Sequence, residues 1–217
     1  MHKPDLTNDE LLTTTRAVRR RLDYDRPVSR AMVEECLSVA LQAPNGGNMN
    51  QWRWIAIDDR ATIEKVGQLY NDGLDAFIAT FGDAGYAGAS VEGADRIAAS
   101  TLHLRQNFHR LPMVLVPLVA GRTDGKGDGS NVFYQASTWG SVIQAVWSFM
   151  LALRARGLGS AWTTAHLWRE RELADVLGIP AETYMQVGLF PVAYTLGTRF
   201  RPGHRAPVTE VLSWDRF

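Results

Sequence analysis

Cysteine is nearly missing from these 217 residues: Cys36 stands alone, so no internal disulfide can form, and a reducing compartment is the simple inference. It falls on the apolar side of a predicted helix, where a small core residue is a commoner role than a nucleophile. Net charge is missing as well. The 23 basic and 23 acidic residues balance, and nothing global attracts nucleic acid or an acidic polymer. No apolar run approaches the roughly 18 residues of a membrane span, and the polar N-terminus has no hydrophobic signal region. A cytoplasmic protein with no membrane or nucleic-acid partner is therefore expected. Several catalytic signatures are absent too. No Gly-x-Gly-x-x-Gly follows a strand, which argues against a Rossmann dinucleotide domain, and no Gly-x-Ser-x-Gly elbow marks a hydrolase. The five histidines (2, 103, 109, 166 and 204) show neither His-x-x-x-His spacing nor a cysteine partner, so no metal site is expected. No proline/serine-rich or charged linker interrupts the chain. One domain over 1–217 follows, long enough to bury roughly 70% of its unfolded surface.

What is present centres on Ala43 to Trp54, Ala-Pro-Asn-Gly-Gly-Asn-Met-Asn-Gln-Trp-Arg-Trp, a polar elbow between an apolar helix and an apolar strand. Its amides offer donors and acceptors on a backbone free to take positive φ, which suits a planar polar ring; an ordinary helix-to-strand turn is the plain alternative. Pro44 disfavours helix at Ala43. Trp52, Trp54, Ile55 and Ile57 then predict a strand buried on both faces. Seven tryptophans are many for this length, and such rings line pockets and interfaces as well as cores.

Upstream, Thr7-x-x-Glu10 reads as a capping box opening a helix over 8–21. On such a helix Arg16, Arg19 and Arg20 share a face, either merely solvated or matched to a dianion such as phosphate. Ser29 caps a second helix whose apolar stripe, Met32 to Leu41, stops before Pro44. Residues 62–110 read as a helical cover or lid, including the small-residue stretch Gly82 to Ser90. Met113 to Val119 is a second apolar strand, and the glycine-charge alternation of Gly121 to Ser130 is a surface turn rather than a P-loop. A helix over 131–156, apolar almost all round, belongs in the core or in the core plus a subunit interface. A short strand over Ser160 to Thr164, a helix over 167–177 and a strand over Tyr184 to Tyr194 interrupted at Pro191 follow. The tail from 197 is basic, proline-rich and then apolar, an arm suited to a partner subunit.

Arg16-Ala-Val-Arg19, Asp25-Arg-Pro-Val28, the elbow to Trp52, Gly157-Leu-Gly-Ser-Ala-Trp162 and the tail Arg205-Ala-Pro-Val-Thr-Glu-Val together resemble the FMN-dependent nitroreductase family, in register over nearly the whole chain. The resemblance implies an α+β fold, a three-layer α-β-α sandwich with a mixed, mainly antiparallel central sheet. It also implies a domain-swapped homodimer whose 197–217 arm crosses to the partner, with one tightly bound FMN per site at the interface. Arg16, Ala17, Arg19 and Arg205 then hold the phosphate, Asn48 and Asn50 face the flavin ring, and Trp162, Thr163 and Thr164 pass its edge. Ala17 and Asn45 stand where the family has serine, and Asn50-Gln51 where it has Gln-Pro. NAD(P)H is the expected co-substrate, and nitroaromatics, quinones or similar electron-poor acceptors are the expected substrates of a ping-pong, two-electron cycle. The cofactor performs the chemistry, so no catalytic side chain is required. Tyr70, Phe77 and Phe81 are candidates to stack on substrate, with core packing their other reading. Ene reduction, dehydrogenation or dehalogenation of a non-nitro substrate is the alternative activity, and FMN storage the non-catalytic one.

Overall fold

The computed structural model describes residues 3–82, 94–124 and 131–217. Its main helices and strands are α1 (Asn8–Thr14), α2 (Arg30–Ala40), β1 (Trp52–Ile57), α3 (Arg60–Phe81), α4 (Ala94–Asn107), β2 (Met113–Ala120), α5 (Asn131–Ala155), β3 (Leu158–Gly159), α6 (Glu170–Leu177), β4 (Tyr184–Gln186) and β5 (Phe190–Tyr194). The sheet runs β1-β2-β5-β3, with β4 joined to the far end of β2. Every pairing among these strands is antiparallel.

β2 is the hub, and its alternation makes the layers. Met113, Leu115 and Val119 pack with Val33 and Cys36 of α2 and with Val146, Phe149 and Leu153 of α5. Val114, Val116 and Leu118 turn the other way, to Ile63, Val66 and Tyr70 of α3, Leu104 of α4 and Leu173 of α6. Successive strand residues point to opposite faces, so an all-apolar strand must be covered twice, and the result is a helix-sheet-helix sandwich. β1 takes the edge: Trp54 and Ile55 join opposite cores, while Arg53 and Ala56 are exposed. By length and composition α5 is the one described helix apolar enough to cross a membrane. Val142, Val146, Phe149 and Leu153 are nevertheless core residues, whereas Phe133, Ile143 and Trp147 are exposed.

Three expectations change. The capping box forms, with Thr7 Oγ1 accepting from Glu10 N at 3.2 Å, yet the helix stops at Thr14 rather than near 21. Thr13, Thr14 and Thr15 each donate a hydroxyl bond to the carbonyl four residues back, and β-branched residues of this kind are poor helix formers. Sheet-edge bonds then take the chain: Val18 N donates to Ser160 O (2.8 Å), Leu22 bridges Thr195, and Asp23 N donates to Tyr194 O (2.8 Å). Arg16, Arg19 and Arg20 thus share no helix face. The short strand begins earlier, at Leu158–Gly159, and Thr163 makes only an isolated bridge to Leu189. The break in the last long strand falls at 187–189, and Pro191 sits within β5 opposite Val114. β3 pairs only with Ala193 and Tyr194, so the missing N–H of Pro191 costs no bond on that side.

Residues 62–110 are more regular than expected, forming the 22-residue α3 and then α4. The Gly82 to Ser90 stretch from 83 onward and the turn from 125 to 130 lie outside the described residues.

Gly159 lets the N-terminal segment lie on β3. A Cβ there would stand 2.8 Å from Thr195 Cγ2 and 3.0 Å from Val18 Cβ. Gly159→Ala is expected to destabilise the protein by about 1–3 kcal/mol, the usual cost of overpacking, lowering Tm by several degrees. An unchanged melting curve would show that this packing is loose.

Candidate functional site

On α3, Tyr70, Leu74 and Phe77 recur at helical spacing and face one cavity of about 160 Å³. Tyr70 is buried with its ring stacked on Phe108 (centroids 5.1 Å apart), so it forms the floor. Phe81, one turn beyond Phe77, is 56% exposed, does not line the cavity, and meets Phe77 and Trp168 at centroid distances of 5.2 and 6.3 Å.

The opposite wall is Trp162 to Ala165 with Trp168. Backbone bonds fix it: Thr163 N donates to Leu189 O (3.1 Å), Leu189 N to Thr163 O (2.8 Å), and Trp162 Nε1 to Val187 O (3.1 Å). Two glycines permit the approach. A Cβ on Gly188 would stand 2.5 Å from Trp162 Nε1, and one on Gly73 would overlap the Ala165 carbonyl, so α3 can touch the 165–169 turn only through glycine at 73.

Arg19 completes the lining. Among the described residues its Nε is buried without a hydrogen-bond partner, and no carboxylate lines the cavity with it. A buried donor left unmade costs about 1–3 kcal/mol, so this side chain is prepared for an acceptor that a bound molecule would bring.

The other predicted binding residues lie elsewhere in the subunit. Arg16 Nη1 donates to Arg201 O (3.0 Å), where the N-terminal segment meets the root of the arm. Ala17 is exposed beside Val18. Arg205 is exposed, its Nη1 turned to His204 O (2.6 Å). The elbow is a rigid left-handed turn, with φ of 58° at Gly47, 52° at Asn48 and 50° at Asn50. Asn45 and Asn50 lock it, by Asn50 N to Asn45 Oδ1 (2.9 Å) and Asn45 Nδ2 to Asn50 Oδ1 (3.1 Å), and Asn50 Nδ2 donates to Asn48 O (2.9 Å). Gly46 N donates to Ser141 Oγ of α5 (2.9 Å). Asn45, Gly46, Met49 and Gln51 thereby line a second cavity, about 430 Å³, against Phe133 and Tyr134. Asn48 and Asn50 are exposed and line neither.

The Nitroreductase family model matches residues 12–194. The chain belongs to the nitroreductase family. Among curated relatives, the 5,6-dimethylbenzimidazole synthase of Rhodospirillum rubrum is 27% identical over 190 residues, 87% of this chain and 81% of that protein. Solved structures share the fold, two of them as follows. Iodotyrosine deiodinase bound to FMN and 3-iodo-L-tyrosine superposes with TM-score 0.70 at 19% identity, covering 96% of this chain and 99% of the other. The FMN and NADPH-dependent nitroreductase NfnB from sphigopyxis sp. strain HMH gives 0.66 at 20%, covering 98% and 100%.

A flavin of the family's kind fits the residues present. The orphaned Arg19 Nε offers a donor, two aromatic walls offer stacking, and among the described residues no acid lines the cavity to repel a phosphate or an anionic ring. Its volume falls below the about 300–1,000 Å³ of ordinary small-ligand pockets. Sequence reasoning missed Leu74, Thr101 and Trp168. Leu74 follows Tyr70 by one helical turn, and that spacing could have found it; Thr101 and Trp168 come from other elements and leave no local signal.

His166 also went unread. It is fully buried in the turn behind Ala165, neither ring nitrogen has a partner among the described residues, and burial pushes its pKa down to about 3. The folded state therefore keeps it neutral where the unfolded chain, with an ordinary value of 6.5, takes a proton. Stability from this residue is complete above 6.5 and is lost as pH falls toward 3, at about 1.4 kcal/mol per pH unit. Between about pH 7 and 5, above the carboxylate range, His166→Leu is expected to remove about 2 kcal/mol of pH dependence from denaturant unfolding. Equal slopes for both proteins would rule out the buried neutral imidazole.

Proposed function

We propose that the protein is an FMN-dependent oxidoreductase that uses NAD(P)H to reduce nitroaromatic, quinone or similar electron-poor acceptors, working as a homodimer with FMN in the interface. The observation that supports this most is the convergence of Arg19, Trp162, Thr163, Thr164 and Phe77 on one cavity. A cytoplasmic location agrees with the single cysteine.

In this reading Arg16 and Arg205 grip the phosphate, helped by Arg19, whose guanidinium also stabilises negative charge on the reduced ring. Ala17 brings only its backbone. Asn48 and Asn50, on an elbow already locked, present amides to the ring from the partner subunit. Thr163 and Thr164 hold the wall along which the ring edge lies. Phe77 stacks on the acceptor, with Phe81 beside Trp168 beyond it, and Tyr70 supports Phe77 from the floor. Water is kept out by the aromatic walls. When bound, FMN would supply the two-electron chemistry that couples NAD(P)H to the acceptor in a ping-pong order. The arm beyond residue 197 reaches the partner. Its Val208, Val211 and Trp214 are exposed, Trp214 by 79%, and such side chains gain by being covered.

A second reading keeps the cofactor and changes the substrate. It draws on the 27% identity to a dimethylbenzimidazole synthase and the fold shared with a deiodinase.

Purified protein is expected to be yellow, to bleach under anaerobic NAD(P)H, and to recolour with a nitroaromatic or quinone. A coloured protein that no nicotinamide donor bleaches points to FMN storage, and one that bleaches yet recolours with neither acceptor points to the second reading. Arg16→Ala and Arg205→Ala should each weaken FMN retention roughly ten- to hundredfold, as for a lost charged hydrogen bond. Full flavin occupancy in both variants would refute the phosphate assignment.

A further inference from the structure

At the root of the C-terminal arm two guanidinium groups share one aromatic ring. Arg21 Cζ lies 4.2 Å from the Phe200 ring centroid and Arg154 Cζ lies 4.8 Å from it. Arg154 is 4% exposed. Its Nη2 reaches Thr14 Oγ1 at 3.3 Å, and among the described residues its Nε and Nη1 have no partner. Burial, with Arg21 nearby, holds its pKa below the ordinary arginine value. Among the described residues neither arginine makes a salt bridge. A buried cation without a carboxylate is costly, and the negative face of the ring is the compensation on view.

Arg21 and Arg16 fasten the backbone on the two sides of Phe200. Arg21 Nε donates to Leu196 O (2.9 Å) and its Nη1 to Arg199 O (2.8 Å), while Arg16 Nη1 donates to Arg201 O (3.0 Å). Pro202 then fixes one φ before Arg205. A greasy anchor alone would need no guanidinium. Here the anchor draws Arg16 and the arm to one place while their like charges oppose it.

We propose that Phe200 is a positioning residue through which the protein selects phosphorylated flavin over riboflavin: contacted by the guanidinium groups of Arg21 and Arg154, it holds the arm so that Arg16 and Arg205 are preset for the phosphate. The inference rests on the FMN reading above. Leucine at 200 would fill the space without a π face, and tyrosine would keep the face.

The test titrates full-length protein, stripped of flavin, with FMN and with riboflavin by fluorescence quenching. Phe200→Leu is expected to bind FMN about tenfold more weakly, with riboflavin affinity unchanged. Phe200→Tyr should restore FMN binding, and Arg21→Gln should repeat the loss. Equal weakening of both flavins in Phe200→Leu would mean a merely structural role and overturn the proposal, as would a Phe200→Leu that still prefers FMN as the wild type does. Wild-type protein that binds neither flavin overturns the FMN reading along with this one, so the two failures are distinct.

Discussion

The bond from Val18 N to Ser160 O, with the Leu22–Thr195 bridge and the bond from Asp23 N to Tyr194 O, decides where the positive charge of this protein goes. Backbone groups at a sheet edge seek partners, and here residues 18–23 supply them. With that seam in place, Arg19 enters the wall beside Trp162, Arg16 faces outward to the carbonyl of Arg201, and Arg21 reaches Phe200. Had the first helix continued to residue 21, the guanidinium groups would have lined one solvated face. The three threonines at 13–15 end it instead, and the seam exploits the release.

Local signals made much of the architecture legible. Ser29, Pro44 and the apolar alternation of β2 told of α2 and of a sheet covered on both faces, because each acts through its own neighbours in the chain. The arginine-bearing segment was misread as helix for the opposite reason. Its conformation is set by residues some 140 and 170 positions away, and tertiary pairing overrode a spacing that fits helix equally well. The aromatic candidates separated on burial: Tyr70 is core, Phe77 lines the cavity, and Phe81 stands beyond it. No pattern in the chain distinguishes three aromatics spaced along one helix face. Likewise His166, Arg154 and Phe200 carry no motif, and their significance appears only from what surrounds them or fails to.

Glycine sets the tolerances of the cavity. Gly73 and Gly188 stand where α3 and the Trp162 indole press against backbone, leaving no room for a methyl group. Such contacts make the wall stiff, and a stiff wall holds Thr163 and Trp162 in one orientation without help from a ligand. The elbow reaches the same end by different means, spending its amides on Asn45 and Asn50 to hold Gly47, Asn48 and Asn50 at positive φ. Conformations of that kind persist only where the surroundings over-determine them.

Sheet order explains why these two prepared surfaces do not meet within one subunit. The elbow leads into β1 at one edge, whereas Thr163 lies beyond Leu189 on the far side of β2. At about 4.8 Å per strand, three strand positions put roughly 14 Å between them before any offset along the strands. Each surface therefore faces its own cavity, and Phe133 and Tyr134 are drawn to the elbow's cavity rather than to Arg19. If both surfaces act on one planar ring, they come from different copies of the chain. Phe133 of α5 and Val211 and Trp214 of the arm are exposed apolar side chains, the kind of surface that an association between copies would cover.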